Sequence, residues 1–157
     1  MKEMDIYKKI VNTNEFRREM DFIQHGTTSV YEHSISVAEM SLKIARKFKI
    51  KVNEKSLIKG ALLHDYFLYD WHVSDKSHRL HGFTHPRSAY KNAKRDFGLN
   101  KIEENMILSH MFPMGPKIPK YKESWILTCA DKYCATKEIV VNIISRFSLT
   151  KLLLKDK

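Results

Sequence analysis

Six side chains of the kinds that hold transition metals recur along the chain in an ordered series: His33, the adjacent pair His64-Asp65, His85, His110 and Asp131. Imidazole and carboxylate donors without thiolate suit Mn, Fe, Co, Ni or Zn. The pair is the most informative member. It follows Gly60-Ala61-Leu62-Leu63, an apolar segment that must be buried, where an unpaired charge is costly. A metal ion compensates that charge. Adjacent helical residues point about 100° apart, so His64 and Asp65 can serve one centre only near a helix end. The irregular aromatic stretch from Tyr66 onward supplies such an end.

The elements that must position these residues read as helix after helix. A first helix covers Lys2 to Val11. Thr13 caps a second, expected to run to Gln24 with Phe16, Met20 and Ile23 on one face. Gly26-Thr27-Thr28 breaks the chain. Ser29 caps a long helix to Phe48, with His33, Val37, Met40 and Ile44 along its stripe. Asn53 opens the helix that leads to His64. A loop of about 20 residues follows to Thr84, and loops of that length are often functional. Pro86 suits the first turn of a helix ending near Gly98. Asn100 with Glu103 forms a capping box for a helix to Met111. After a connection carrying Pro113, Pro116 and Pro119, Ser124 starts a last long helix to Arg146, with a further short helix to Leu154.

Each histidine also has a plainer reading. His33 on an apolar stripe could be a core residue, His85 a helix cap, and His110 a partner of a helix C-terminus. His72, His78 and His81 fall in the long loop, solvated or lining a substrate entrance. His81 competes with His85, but His85-Pro86 has the better helix-start context. His25 reads as structural or exposed. Tyr66, Phe67, Tyr69 and Trp71 could stack on a nucleobase or pack the loop on the domain. Lys117, Lys120 and Lys122 form a basic rim or a solvated face.

Composition narrows the class. Apolar residues make up 43% and charged residues 29% of 157 positions, which fits a globular chain and not a disordered one. Gly and Pro are scarce, which favours helix over a turn-rich β fold. No uncharged apolar run approaches the roughly 20 residues of a spanning helix. Charges interrupt the N-terminal segment where a signal peptide needs an apolar core, so a cytoplasmic location is expected. Cys129 and Cys134, five apart in one helix, point apart and read as buried small residues. The net charge of +10 would suit nucleic acid, an anionic membrane surface or a phosphorylated metabolite. Its lysines are dispersed, which argues against nucleic acid.

The order His, His-Asp, His, His, Asp resembles the HD superfamily of metal-dependent phosphohydrolases, in its six-ligand, two-metal branch. Leu62-Leu63-His64-Asp65, His85-Pro86-x-x-Ala89 and Ala130-Asp131-Lys132 also resemble that family's local contexts. The resemblance implies an all-α HD/PDEase-like bundle of six to eight helices: one domain over residues 1–157 with a core at 29–138. It implies that His33, His64, Asp65 and Asp131 hold one divalent ion. His85 and His110 hold a second, with Asp65 bridging. Two ions about 3.5–4 Å apart can share a hydroxide and neutralise a phosphoryl group. The implied partner is a small phosphorylated molecule, a phosphate ester or anhydride of the nucleotide or dinucleotide class. The same ligand set also serves HD-type di-iron oxygenases. A non-catalytic nucleotide- or RNA-binding domain is a third reading. One departure stands out: Leu68 occupies the position of a lysine found in many two-metal members. Phosphate contacts must then come from elsewhere. Arg87, near His85, and Lys132, next to Asp131, are the candidates for substrate binding and catalysis alongside Asp65. Asp70 could orient a ligand or water.

Overall fold

The computed structural model describes residues 2–72 and 81–153. His78 therefore lies outside the described residues. Among them are seven α-helices: α1 (Lys2–Val11), α2 (Asn14–Arg17), α3 (Val30–Lys47), α4 (Glu54–Leu62), α5 (His81–Phe97), α6 (Lys101–Ser109) and α7 (Lys122–Leu153). A two-stranded antiparallel sheet pairs β1 (Ile23–His25) with β2 (Thr28–Ser29), Ile23 opposite Ser29 and His25 opposite Thr28. The fold is all-α, as the composition and helical stripes predict.

The helix starts are set locally by caps. Thr13 accepts from the Phe16 amide, Asn53 from Ser56, and Ser29 and Asn100 each complete a reciprocal capping box with Glu32 and Glu103. Packing then assembles the bundle. α3 lies against α4 and α7, α6 against α4 and α7, α1 against α4, and α5 against α6. The shared core contains Val37, Leu57, Leu62, Met106, Ile107 and Leu127. Gly60 allows α4 to approach α6 closely, since a Cβ there would press on the Met106 side chain.

Four expectations change. The second helix stops at Arg17 and passes through a 3₁₀ turn (Arg18–Asp21) into β1, not on to Gln24. Only Phe16 of the expected face is buried; Met20 and Ile23 are exposed, so no apolar stripe sustains a helix there. The Val30 amide bonds Phe22 O at 2.9 Å and closes the hairpin instead. The fifth helix begins at His81, so His81 is helical and Pro86 sits past the first turn. Pro86 forgoes one amide hydrogen bond, that to Gly82, while His85 Nδ1 donates to His81 O at 2.7 Å and ties the first turn. The last helix starts at Lys122 and continues unbroken to Leu153, and its Cys129 is exposed while Cys134 is buried.

Candidate metal centre

The six residues reach one point from five directions. His33 is in the first turn of α3, His85 inside α5, His110 caps the end of α6, and Asp131 lies in α7. His64 and Asp65 lie in the turn just past Leu63, the cap of α4, as the need for a helix end requires. All six are buried, with His33 and His64 wholly inaccessible.

Asp65 sits between two groups. Its Oδ1 is 3.2 Å from His85 Nε2 and 3.3 Å from His110 Nε2, while Oδ2 is 3.4 Å from His64 Nε2. Asp131 Oδ1 is 3.1 Å from His33 Nε2 and 3.6 Å from His64 Nε2. Donor atoms of His33, His64 and Asp65, of His64, His110 and Asp131, and of Asp65, His85 and His110 each lie within 4.8 Å of one another.

The outer nitrogens orient the rings. Nδ1 of His64, His85 and His110 each faces a backbone carbonyl at 2.7 Å, from Ala61, His81 and Ile107. A carbonyl only accepts, so each ring carries a hydrogen on Nδ1 and turns Nε2 inward, with a bare lone pair whenever the ring is neutral. His33 Nδ1 donates instead to the Glu138 carboxylate, at 3.0 Å to Oε1. Such outer partners hold metal-ligating imidazoles in the required tautomer. His64 Nε2 and Asp65 Oδ1 are buried without a hydrogen-bond partner. Converging, unsatisfied lone pairs in a buried site fit divalent cations.

Electrostatics agree with that fit. Burial alone would raise the Asp65 carboxyl, but the surrounding imidazoles of His64, His85 and His110 hold it well below the usual carboxylate range. Burial likewise opposes charge on Asp131, and His33 and His64 outweigh it and keep the carboxyl low. Burial disfavours a charged His33, yet hydrogen bonds to Asp131 and Glu138 raise its pKa to about 10. His110 is lowered, chiefly by burial.

A pocket of about 340 Å³ opens onto the cluster, lined by Asp65, His85, His110 and Asp131 together with Trp71, Met111 and Lys132. Lys132 is thus brought to the site, and its Nζ donates to His110 O at 3.2 Å. Arg87 is not. It is exposed and lines a separate pocket, because it lies two residues beyond His85 and faces the other flank of α5. Asp70 accepts from the His72 amide at 2.9 Å and stays exposed. Leu68, at a positive φ of 58°, packs against the core and does not line the pocket.

The aromatic stretch mostly packs. Tyr66 is buried and its hydroxyl donates to Glu15 O at 3.0 Å, and Phe67 sits edge-on to His85. Tyr69 Oη is 3.0 Å from His81 Nδ1. Only Trp71 of the four lines the pocket, its indole stacked on His81 at 10° and its Nε1 donating to Ile23 O at 3.1 Å.

Sequence reasoning missed three residues here. Gln24 Nε2 donates to Asp65 Oδ2, and half-buried His25 lines the pocket with its ring edge-on to His33. Both arrive on the hairpin that the helical reading overlooked. Glu138 did have a signal: it lies seven residues after Asp131, two turns along the same face of α7. Glu19, fully buried, also sits near Asp65; burial and the Asp65 charge outweigh a hydrogen bond from Ser34 and raise its carboxyl well above the usual range.

A helical bundle with a buried His/Asp cluster able to hold divalent metal defines the class. Residues 30–136 match the family model for the HD domain, and the chain belongs to the HD domain family. No curated protein and no solved structure matches it significantly. No helix among the described residues is long and apolar enough to cross a membrane.

Proposed function

We propose that this HD domain, extending over the whole chain, is a two-metal phosphohydrolase acting on a phosphate ester or anhydride of the nucleotide class. The observation that carries the reading is the position of Asp65, whose Oδ1 faces His85 and His110 and whose Oδ2 faces His64. His33, His64, Asp65 and Asp131 would hold one ion, and Asp65, His85 and His110 the other, drawn from Fe, Mn, Zn, Co or Ni. When bound, such a pair supplies Lewis acidity that lowers the pKa of water and neutralises charge on a phosphoryl group.

The chain's own residues account for the rest. Asp65, held low in pKa and oriented by Gln24, presents both oxygens without a competing proton. Lys132, anchored to His110 O, places an ammonium at the pocket wall for a phosphoryl oxygen. Trp71, Met111 and Met114 supply apolar walls that exclude water from a bound substrate.

Metal-reconstituted protein, with Mn, Fe or Co, should release phosphate or a phosphorylated product from members of a nucleotide panel. Asp65→Ala should abolish that release. Equal turnover by the variant and the wild type would sink the assignment. Oxygen-dependent turnover with a mixed-valence di-iron signal, and no hydrolysis, would mark the oxygenase chemistry instead.

A further inference from the structure

We propose that the pocket beside the metal pocket is a second anion subsite. It takes a phosphate of the same substrate, separated by a sugar from the reacting phosphoryl group. The nature of that reacting group rests on the hydrolase reading; the subsite rests on a different set of residues.

This second pocket, of about 510 Å³, is lined by Arg87 and Lys91 of α5 and by Lys117 of the proline-bearing connection, with Phe83, Tyr90 and Met111. No acidic side chain lines it among the described residues. Arg87, Lys91 and Lys117 are exposed, and none is paired with a carboxylate among the described residues. Some exposed cations elsewhere are matched: Arg46 with Glu54 at 3.0 Å, Lys94 with Glu104 at 2.8 Å, and Arg95 with Asp96 at 2.6 Å. The three around this pocket are left to act together on a ligand. A guanidinium and two ammonium groups without acidic neighbours select an anion, and the planar fork of arginine suits phosphate.

Position defines which anion. Met111 lines both pockets, and Gly82 of the first is followed by Phe83 of the second. Arg87 lies two residues after His85, so it projects from nearly the opposite flank of α5. The two sites are then about one helix diameter apart, ~10 Å. The neighbouring phosphate of an anhydride is too close to the reacting one to occupy both. A phosphate on the far side of a ribose, as in a nucleoside 3′,5′-bisphosphate or a dinucleotide, spans the gap within reach of these long side chains.

The test is surface plasmon resonance on metal-loaded protein, where flowing ligand replaces any that is turned over. Adenosine 3′,5′-bisphosphate, adenosine 5′-monophosphate and inorganic tripolyphosphate are compared on wild type and on R87E/K91E/K117E. Wild type should bind the bisphosphate roughly tenfold more tightly than the monophosphate, a preference that shrinks with salt. The charge-reversed protein should lose that preference. An equal preference in both proteins, or none in wild type, overturns the proposal. So does tripolyphosphate binding alongside saturating bisphosphate, because the pocket would then take a free anion and not the substrate's own phosphate. Phosphate release is scored separately: its absence counts against the hydrolase reading, while the binding preference still decides the subsite. All three substitutions are at exposed positions, and an unchanged circular dichroism spectrum checks the fold.

Discussion

His85 and His110 bring their Nε2 atoms to 2.8 Å of each other, although each ring has committed its Nδ1 hydrogen to a backbone carbonyl. Two lone pairs so close repel unless a cation or an extra proton lies between them. Asp65 Oδ1, 3.2 and 3.3 Å from the same two atoms, completes a three-donor face. This face is the geometric support for the proposal that a second ion binds beside the first.

Metal stoichiometry tests it directly. Wild type should hold two ions per chain after gentle purification. His110→Ala should hold one, and Asp65→Ala should fall below one, since Asp65 serves both positions. Elemental analysis reads the outcome, and one ion in wild type would remove His85 and His110 from the ligand set.

Glu138 should matter without touching metal. Its carboxylate fixes the His33 ring through Nδ1. Glu138→Gln should weaken metal binding about 10–100-fold, the range seen for outer partners of ligating histidines. Chelator competition measures this, and unchanged affinity would leave Glu138 only a packing role.

Metal uptake should release protons near pH 8. In the metal-free chain His33 has a pKa of about 10, because Asp131 and Glu138 overcome its burial. The sign follows: a folded value above the ordinary 6.5 means that the proton-held pairing contributes stability below about pH 6.5 and loses it as pH rises through 10. A metal at Nε2 must displace that proton, so affinity should increase with pH up to about 10. Titration calorimetry in two buffers of different ionisation enthalpy would show roughly one proton released. No buffer dependence would contradict the assignment of His33 as a ligand.

Gly26→Ala should disturb the site from the hairpin. Gly26 has φ +62°, and an added Cβ would overlap the Asn142 side chain. The left-handed conformation alone costs about 1–2 kcal/mol for a residue with a Cβ. Thermal unfolding should shift downward, and metal affinity should fall with it because the strand before the turn carries Gln24. A lowered melting temperature with unaltered metal affinity would show that the hairpin is dispensable to the centre.

Much of the scaffold was legible because its signals are local. The caps at Thr13, Ser29, Asn53 and Asn100 form where hydroxyl or amide side chains meet nearby backbone amides. Such contacts span three residues, so the chain encodes them without reference to the rest of the fold. The hairpin was less legible. Phe16, Met20 and Ile23 have helical spacing, but only tertiary contact could tell that Met20 and Ile23 face solvent. The early start of α5 was hidden for a similar reason, since Pro86 suggests a first turn and not a position beyond it.

The sequence alone determined which residue types were available for a metal and in what order, because a His-Asp pair after an apolar helix has few inexpensive solutions. Which donors meet was decided by the tertiary structure. The carbonyls of Ala61, His81 and Ile107 turn three of the imidazoles locally, each from within four residues, but His33 is turned by the distant Glu138 carboxylate, and only packing of the helices brings the four rings to one centre. Asp65 stands between the two groups because α4 ends two residues before His64. Arg87, so near His85 in sequence, was sent to another pocket by the turn of a single helix.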